Sequence, residues 1–332
     1  MSGPRLGFAL SSGSARGWAH IGVLKALAAR GLRPDVVTGA SVGALVAAAC
    51  AAGRLDDLEK WVCTLTQRDV WRLVDTTFRG GGVMTGNRLM EAITAQVGDT
   101  PIESLPVRFG AVATDLYTGE EIWLREGSFM TAVRASSGVP GLFAPHWHDG
   151  RWLIDGGVVN PVPVSLCRAL GADLVIAVDL SRPVTLSAMR AGQRADSITN
   201  PAATAAAAHR ADADTTGAAP ASGEASAEGT AILKKWSGLV DGLVESFRSK
   251  RAEPGLVEVM TSAVNIMQDR ITRSRLALDP ADLLLRPEID DFQLMDFHRA
   301  AEAISIGRAY VERMAPQIDA FAAQLASREP AE

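Results

Sequence analysis

Short apolar runs of strand length alternate with helical stretches along this chain, and that alternation confines it to folds built on a mainly parallel sheet. The strand-like runs are Leu6–Leu10, Asp35–Thr38, Val107–Ala113, Glu121–Leu124, Arg151–Ile154, Asp173–Leu180 and Asp282–Arg286. Helical periodicity fills much of the space between them, at Leu55–Gln67, Gly86–Val97, Val164–Leu170 and Asp296–Leu325. Helices that cross between parallel strands cover the sheet, so the expected class is α/β, a mainly parallel central sheet with helices on both faces. Ligands in such folds sit off the carboxyl ends of the strands.

Three strand ends carry chemistry. Gly39-Ala40-Ser41-Val42-Gly43 lies between a β-branched run and the Ala-rich stretch Ala44–Ala52. In that context G-x-S-x-G is a nucleophile elbow, in which Gly39 and Gly43 allow a sharp turn and Ser41 stands clear on a helix N-terminus. Upstream, Leu6–Leu10 runs into Ser11-Ser12-Gly13-Ser14-Ala15-Arg16-Gly17, and a helix starts near Trp18. Small residues at a strand–helix junction let backbone N–H groups converge on an anion. A dinucleotide loop fits poorly there, because Gly13 and Gly17 do not make G-x-G-x-x-G, and the second strand ends in the elbow instead of a ribose-binding acid. Downstream, Pro145–His148 and Arg151–Ile154 flank Asp149-Gly150, a hairpin signal, so that Asp155 leaves a strand into Gly156-Gly157. Alone, Asp-Gly is ordinary turn chemistry. The combination of the three is what is specific.

Together these segments resemble the patatin-like phospholipases, and the resemblance extends through Ala113–Glu120, Ala135–Pro145, Asp282–Pro287 and Asp296-Phe297. It implies a three-layer α/β/α fold and a Ser–Asp dyad, with Ser41 as nucleophile, Asp155 as general base and backbone donors at Gly13 and Ser14. Arg16, Gly17, Gly39, Gly43, Gly156 and Gly157 support those motifs. Ser12 and Ser14 stand where plant members commonly have glycine, which leaves the N–H donors in place. No cofactor and no metal are implied. An Asp near its ordinary pKa of about 3.9 is ionised at neutral pH and available as the base.

The histidines offer a competing triad. In an α/β-hydrolase the order would be Ser, Asp or Glu, then His. His298 falls in a helical pattern, His209 in a low-complexity tract, and His20 in the first helix, where packing or capping explains it. His146 and His148 have the spacing of a metal pair, with no Cys or Asp cluster near them to complete a zinc-type set.

Composition fits a globular enzyme. The net charge of −5 argues against a general nucleic-acid binder, and Cys50, Cys63 and Cys167 make no disulfide framework, which favours reduced thiols and a cytoplasmic setting. Met1–Leu10 reads as a first strand rather than a secretory segment, and the longest apolar stretch, Gly39–Gly53, is too short to span a bilayer.

The expected organisation is a catalytic core over 1–182, a low-complexity insertion over 183–231, and helices with a strand over 232–326 that complete the same domain. The insertion has almost no large apolar residue after Ile198 and is expected to be mobile. Residues 232–251 place Ile232, Leu233, Trp236, Leu239, Leu243 and Phe247 on one helical face with basic residues at both ends. Core packing explains such a face; a lid or a peripheral membrane contact is the functional alternative. The expected activity is hydrolysis of lipid carboxylic esters, of phospholipids or lysophospholipids. A general soluble carboxylesterase and a weakly active lipid-binding or regulatory scaffold of the same fold are the alternatives.

Overall fold

The computed structural model describes residues 3–75, 82–181 and 256–327. The tract at 183–231 and the segment 232–251 lie outside them. Chain contacts divide the protein into a unit of 1–182 with 260–332 and a second of 183–259. The sheet and the site lie in the first.

In chain order, β1 (Leu6–Leu10) leads through a 3₁₀ turn into α1 (Ala19–Ala29), and β2 (Val36–Ala40) leads directly into α2 (Val42–Ala51). There follow α3 (Leu55–Thr64), α4 (Gln67–Arg72), β3 (Gly82–Met84) and α5 (Asn87–Val97). Next come β4 (Arg108–Asp115), β5 (Glu121–Leu124), α6 (Phe129–Ser136), β6 (Gly141–Phe143), β7 (His146–His148) and β8 (Arg151–Asp155). The chain then forms α7 (Val164–Ala169), β9 (Leu174–Val178), α8 (Leu256–Leu278), β10 (Leu283–Leu285), α9 (Ala300–Arg313) and α10 (Ala315–Ser327).

The main sheet runs β10-β9-β1-β2-β4-β8-β7, with β5 also on β4, while β3 and β6 form a small parallel pair. From β10 to β4 all neighbours are parallel; β8, β7 and β5 run antiparallel. The fold is therefore α/β with a mixed, mainly parallel sheet.

Side-chain alternation along the strands builds two cores. Leu6, Phe8 and Leu10 of β1, with Leu174, Ile176 and Val178 of β9, join the larger core with α1, α2 and α9. Ala9, Val175 and Ala177 point the other way, onto Val164 and Cys167 of α7 and Leu276 of α8. Strands buried on both faces read as continuous apolar runs, which is why they were legible in the sequence. Each fully buried Leu, Ile or Phe contributes about 1.5–3 kcal/mol.

Two helical patterns break where the sequence reading kept them whole. Leu55–Gln67 ends at Thr64, because Thr66 caps a new helix: its Oγ accepts the Asp69 N–H at 3.3 Å, and Asp69 accepts the Thr66 N–H at 3.0 Å. Asp296–Leu325 divides at Met314, because the ring of Pro316 would clash with the Glu312 carbonyl if one helix continued. The hairpin at Asp149-Gly150 forms as read, with φ of 46° and 77° and Trp147 paired to Trp152.

Candidate active site

The sheet register brings the elbow and the Asp turn together. Ala40, the last residue of β2, lies opposite Val112, and Asp155, the last residue of β8, lies opposite Ala113. β5 pairs with Ala111 and Ala113 as well, so β2 and β8 share the other edge of β4. Their carboxyl ends meet there from opposite directions. Asp155 is thus at a strand end, as its sequence indicated, but on a strand that runs against the parallel set.

Ser41 occupies the turn between β2 and α2 with φ 57° and ψ −127°, a left-handed conformation that a non-glycine residue adopts at a cost. Its N–H donates to Ser136 Oγ at 2.8 Å, and that hydroxyl donates to the Val112 carbonyl at 2.6 Å. Ser136 therefore ties the strained residue to the neighbouring strand, a role that nothing in its local sequence signalled. Gly39 and Gly43 permit the turn: a Cβ on Gly39 would stand 2.3 Å from the Gly43 carbonyl, and one on Gly43 would stand 2.4 Å from the Ser11 carbonyl. Strand, helix and upstream loop are in backbone contact here. Only glycine fits.

Asp155 is 1% exposed. Its Oδ1 accepts the Gly157 N–H at 2.7 Å, while Oδ2 has no hydrogen-bond donor. Burial pushes its carboxyl up to about 6, and the Ser41 hydroxyl and the Gly157 N–H offset this in part by favouring the anion. Ser41 is thus near enough to bear on the charge of Asp155, although no hydrogen bond of ordinary geometry joins the two side chains. A carboxyl at about 6 corrects the expectation of an unperturbed Asp. It is a stronger base, still ionised at neutral pH.

The small-residue loop wraps over this junction. The Gly13 and Ser14 N–H groups make no hydrogen bond among the described residues. Ser14, at φ 50°, donates its hydroxyl to the Leu294 carbonyl at 2.6 Å. Ser12 donates its N–H to the Pro161 carbonyl at 3.0 Å and its hydroxyl to Gln268 Oε1 at 3.1 Å. The guanidinium of Arg16 bonds the Gly13 carbonyl at 3.3 Å. Gly17 packs on Val42, and Gly156 on Val112. His20, fully buried, bonds the Ser11 carbonyl through Nε2 at 2.8 Å, and burial lowers its pKa to about 4. The ring is neutral at pH 7 and holds the loop from below. His146 and His148 stack in β7 at 6.4 Å between ring centroids. Among the described residues no group of three His, Cys, Asp or Glu side chains is placed to hold a metal ion.

Ser41 and Ser14 line a cleft of about 960 Å³, counted out to its open mouth. Its walls come from α2, α3, α4, α5, β6 and the Met295–Phe297 segment, with Leu45, Trp61, Met90, Ile93, Leu142 and Phe143 among them. Arg134 and Ser137 are the other polar side chains in the wall. Nη2 of Arg134 donates to the carbonyls of Thr85 at 2.6 Å and Ala144 at 2.8 Å. Gly13 and Arg16 face a small polar pocket with Gln268 and Thr272. Among the described residues no helix is long and apolar enough to cross a membrane.

Residues 8–168 match the family model described as patatin-like phospholipase. An uncharacterized NTE family protein of Mycobacterium tuberculosis is 36% identical over 333 residues, covering 93% of this chain and 90% of that protein. A patatin-like phospholipase domain-containing protein of Caenorhabditis elegans is 34% identical over 188 residues, 54% of this chain and 14% of that protein. A crystal structure of VipD from Legionella pneumophila aligns with a TM-score of 0.36 at 16% identity, over 58% of this chain and 54% of that chain.

Proposed function

Because this chain belongs to the patatin-like phospholipase family, we propose that it hydrolyses carboxylic esters of lipids, phospholipids or lysophospholipids, through Ser41 and Asp155. One observation carries the reading. A strained serine at a helix N-terminus opens on a cleft whose walls are almost wholly apolar, with a desolvated carboxyl beside it. The cleft suits an acyl chain, because burying methylene groups there contributes about 0.8 kcal/mol each.

In this mechanism Asp155 accepts the hydroxyl proton as Ser41 Oγ attacks the ester carbonyl. The oxyanion forms against the Gly13 and Ser14 N–H groups and the positive end of α2. Collapse breaks the bond to the alcohol, which leaves with the proton from Asp155. A water then gives its proton to Asp155 and attacks the acyl-serine; the fatty acid departs and Ser41 regains its proton. Loss of a single oxyanion donor costs roughly 3 kcal/mol in comparable enzymes, so the loop contributes substantially to the rate beside the dyad. The apolar cleft favours a lipid over a small soluble ester.

Fluorophosphonate labelling with hydrolysis of a p-nitrophenyl ester and of lysophospholipid micelles tests this. Wild type should label and turn over, while folded Ser41→Ala and Asp155→Asn should do neither. A wild type that neither labels nor cleaves any ester is the scaffold alternative. Activity surviving in Asp155→Asn refutes the base assignment.

A further inference from the structure

We propose that Gln268, on α8, is a positioning residue that fastens the loop bearing the Gly13 and Ser14 N–H groups to the turn holding Asp155; this rests on the hydrolase reading above. Gln268 reaches both halves of the site and makes no hydrogen bond to Ser41 or Asp155 among the described residues. Its Oε1 accepts the Ser12 hydroxyl at 3.1 Å. Its Nε2 stands 2.4 Å from the position a Cβ on Gly157 would take, and Asp155 Oδ1 and Ser12 Oγ each stand 2.9 Å from that same point. Three polar side chains from distant parts of the chain thus converge on one glycine, whose N–H orients the base at 2.7 Å.

The need for such a fastening follows from the loop itself. Apart from Arg16, Ser11–Gly17 is built of small residues, of which Ala15 packs into the core, and Ser14 sits at φ 50°. Three hydroxyls tie it to segments outside: Ser11 accepts the Leu180 N–H, Ser12 donates to Gln268, and Ser14 donates to the Leu294 carbonyl. All three partners lie beyond residue 168, where the match to the family model ends. Oxyanion donors act only when placed to within a fraction of an ångström, so loosening this junction reduces turnover more than substrate binding.

The test is a double-mutant cycle on the full chain with Ser12→Gly and Gln268→Met, read by fluorophosphonate labelling rate and by kcat and KM on p-nitrophenyl butyrate. Each single variant should lower labelling and kcat about tenfold with KM moved less than about twofold, and the double should be no worse than the weaker single. Gln268→Glu adds a second measurement. A carboxylate beside Asp155 disfavours its ionisation, so the acid limb of the pH profile should move up by about one unit. Additive singles, unchanged labelling, or an acid limb that stays put in Gln268→Glu overturn the proposal. If Gln268→Met does not fold, Ser12→Gly and the Gln268→Glu profile decide it. An inactive, unlabelled wild type sinks the hydrolase reading and this proposal with it, whereas an active wild type with additive variants sinks this proposal alone.

Discussion

Asp155→Asn should make the protein more stable while removing its activity. Folding moves the Asp155 carboxyl from 3.8 to about 6, through burial. The fold therefore favours the neutral acid, whose stabilising contribution is complete below about pH 3.8 and is lost as pH rises through about 6. At about 1.36 kcal/mol per pKa unit, the ionised carboxylate costs about 3 kcal/mol at pH 8 and about 1 kcal/mol at pH 4.5. Asparagine has the shape of the neutral acid, keeps an acceptor for the Gly157 N–H, and can point its amide at Ser41 Oγ. The expected gain is roughly 6 °C in Tm at pH 8, shrinking to roughly 2 °C at pH 4.5. Thermal melts of both proteins at the two pH values measure it. His20 adds an acid-side loss of its own: burial lowers its pKa from 6.5 to about 4, so its contribution is intact above about 6.5 and is lost as pH falls toward 4. That loss is common to both proteins and cancels in the difference. An Asp155→Asn gain absent at pH 8, or equal at both pH values, refutes the argument that burial raises this carboxyl.

Three further outcomes follow from the same geometry. The kcat/KM for a p-nitrophenyl ester should rise with pH to a plateau with a midpoint near 6, since only ionised Asp155 accepts the serine proton; a midpoint near 4 contradicts the desolvated base. Ser136→Ala leaves the buried Ser41 N–H without its acceptor, so chemical denaturation should show a loss of about 1–3 kcal/mol, with a fall in kcat as the elbow relaxes. Met90→Trp puts bulk into the cleft wall, so hydrolysis of long-chain esters should fall about tenfold relative to acetate; parallel losses on both would place the acyl chain elsewhere.

Much of this site was legible locally, for a physical reason. A sharp strand–helix turn demands small residues at fixed positions whatever surrounds it, so Gly39, Ser41 and Gly43 declared the elbow, and Asp149-Gly150 declared the hairpin that delivers Asp155. The doubly buried strands were equally plain, because such strands have no polar face to obscure them. Ser136, His20 and Gln268 were not legible as parts of a site. Ser136 bonds both Ser41 and Val112, His20 bonds the Ser11 carbonyl and Gln268 the Ser12 hydroxyl, and no periodicity or motif encodes a partner that only folding supplies.

The sequence by itself determined the fold class, the sharp strand–helix turn at Ser41 and the strand-end position of Asp155, since these depend on backbone sterics and apolar patterning within a few residues. The tertiary structure decided how β2 and β8 meet on one edge of β4, how far burial lifts the Asp155 carboxyl, and which side chains hold the small-residue loop over the cleft. Those properties depend on how much water and charge remain around a group once distant segments have packed against it. Desolvation is a property of the assembled neighbourhood, and no residue carries it alone.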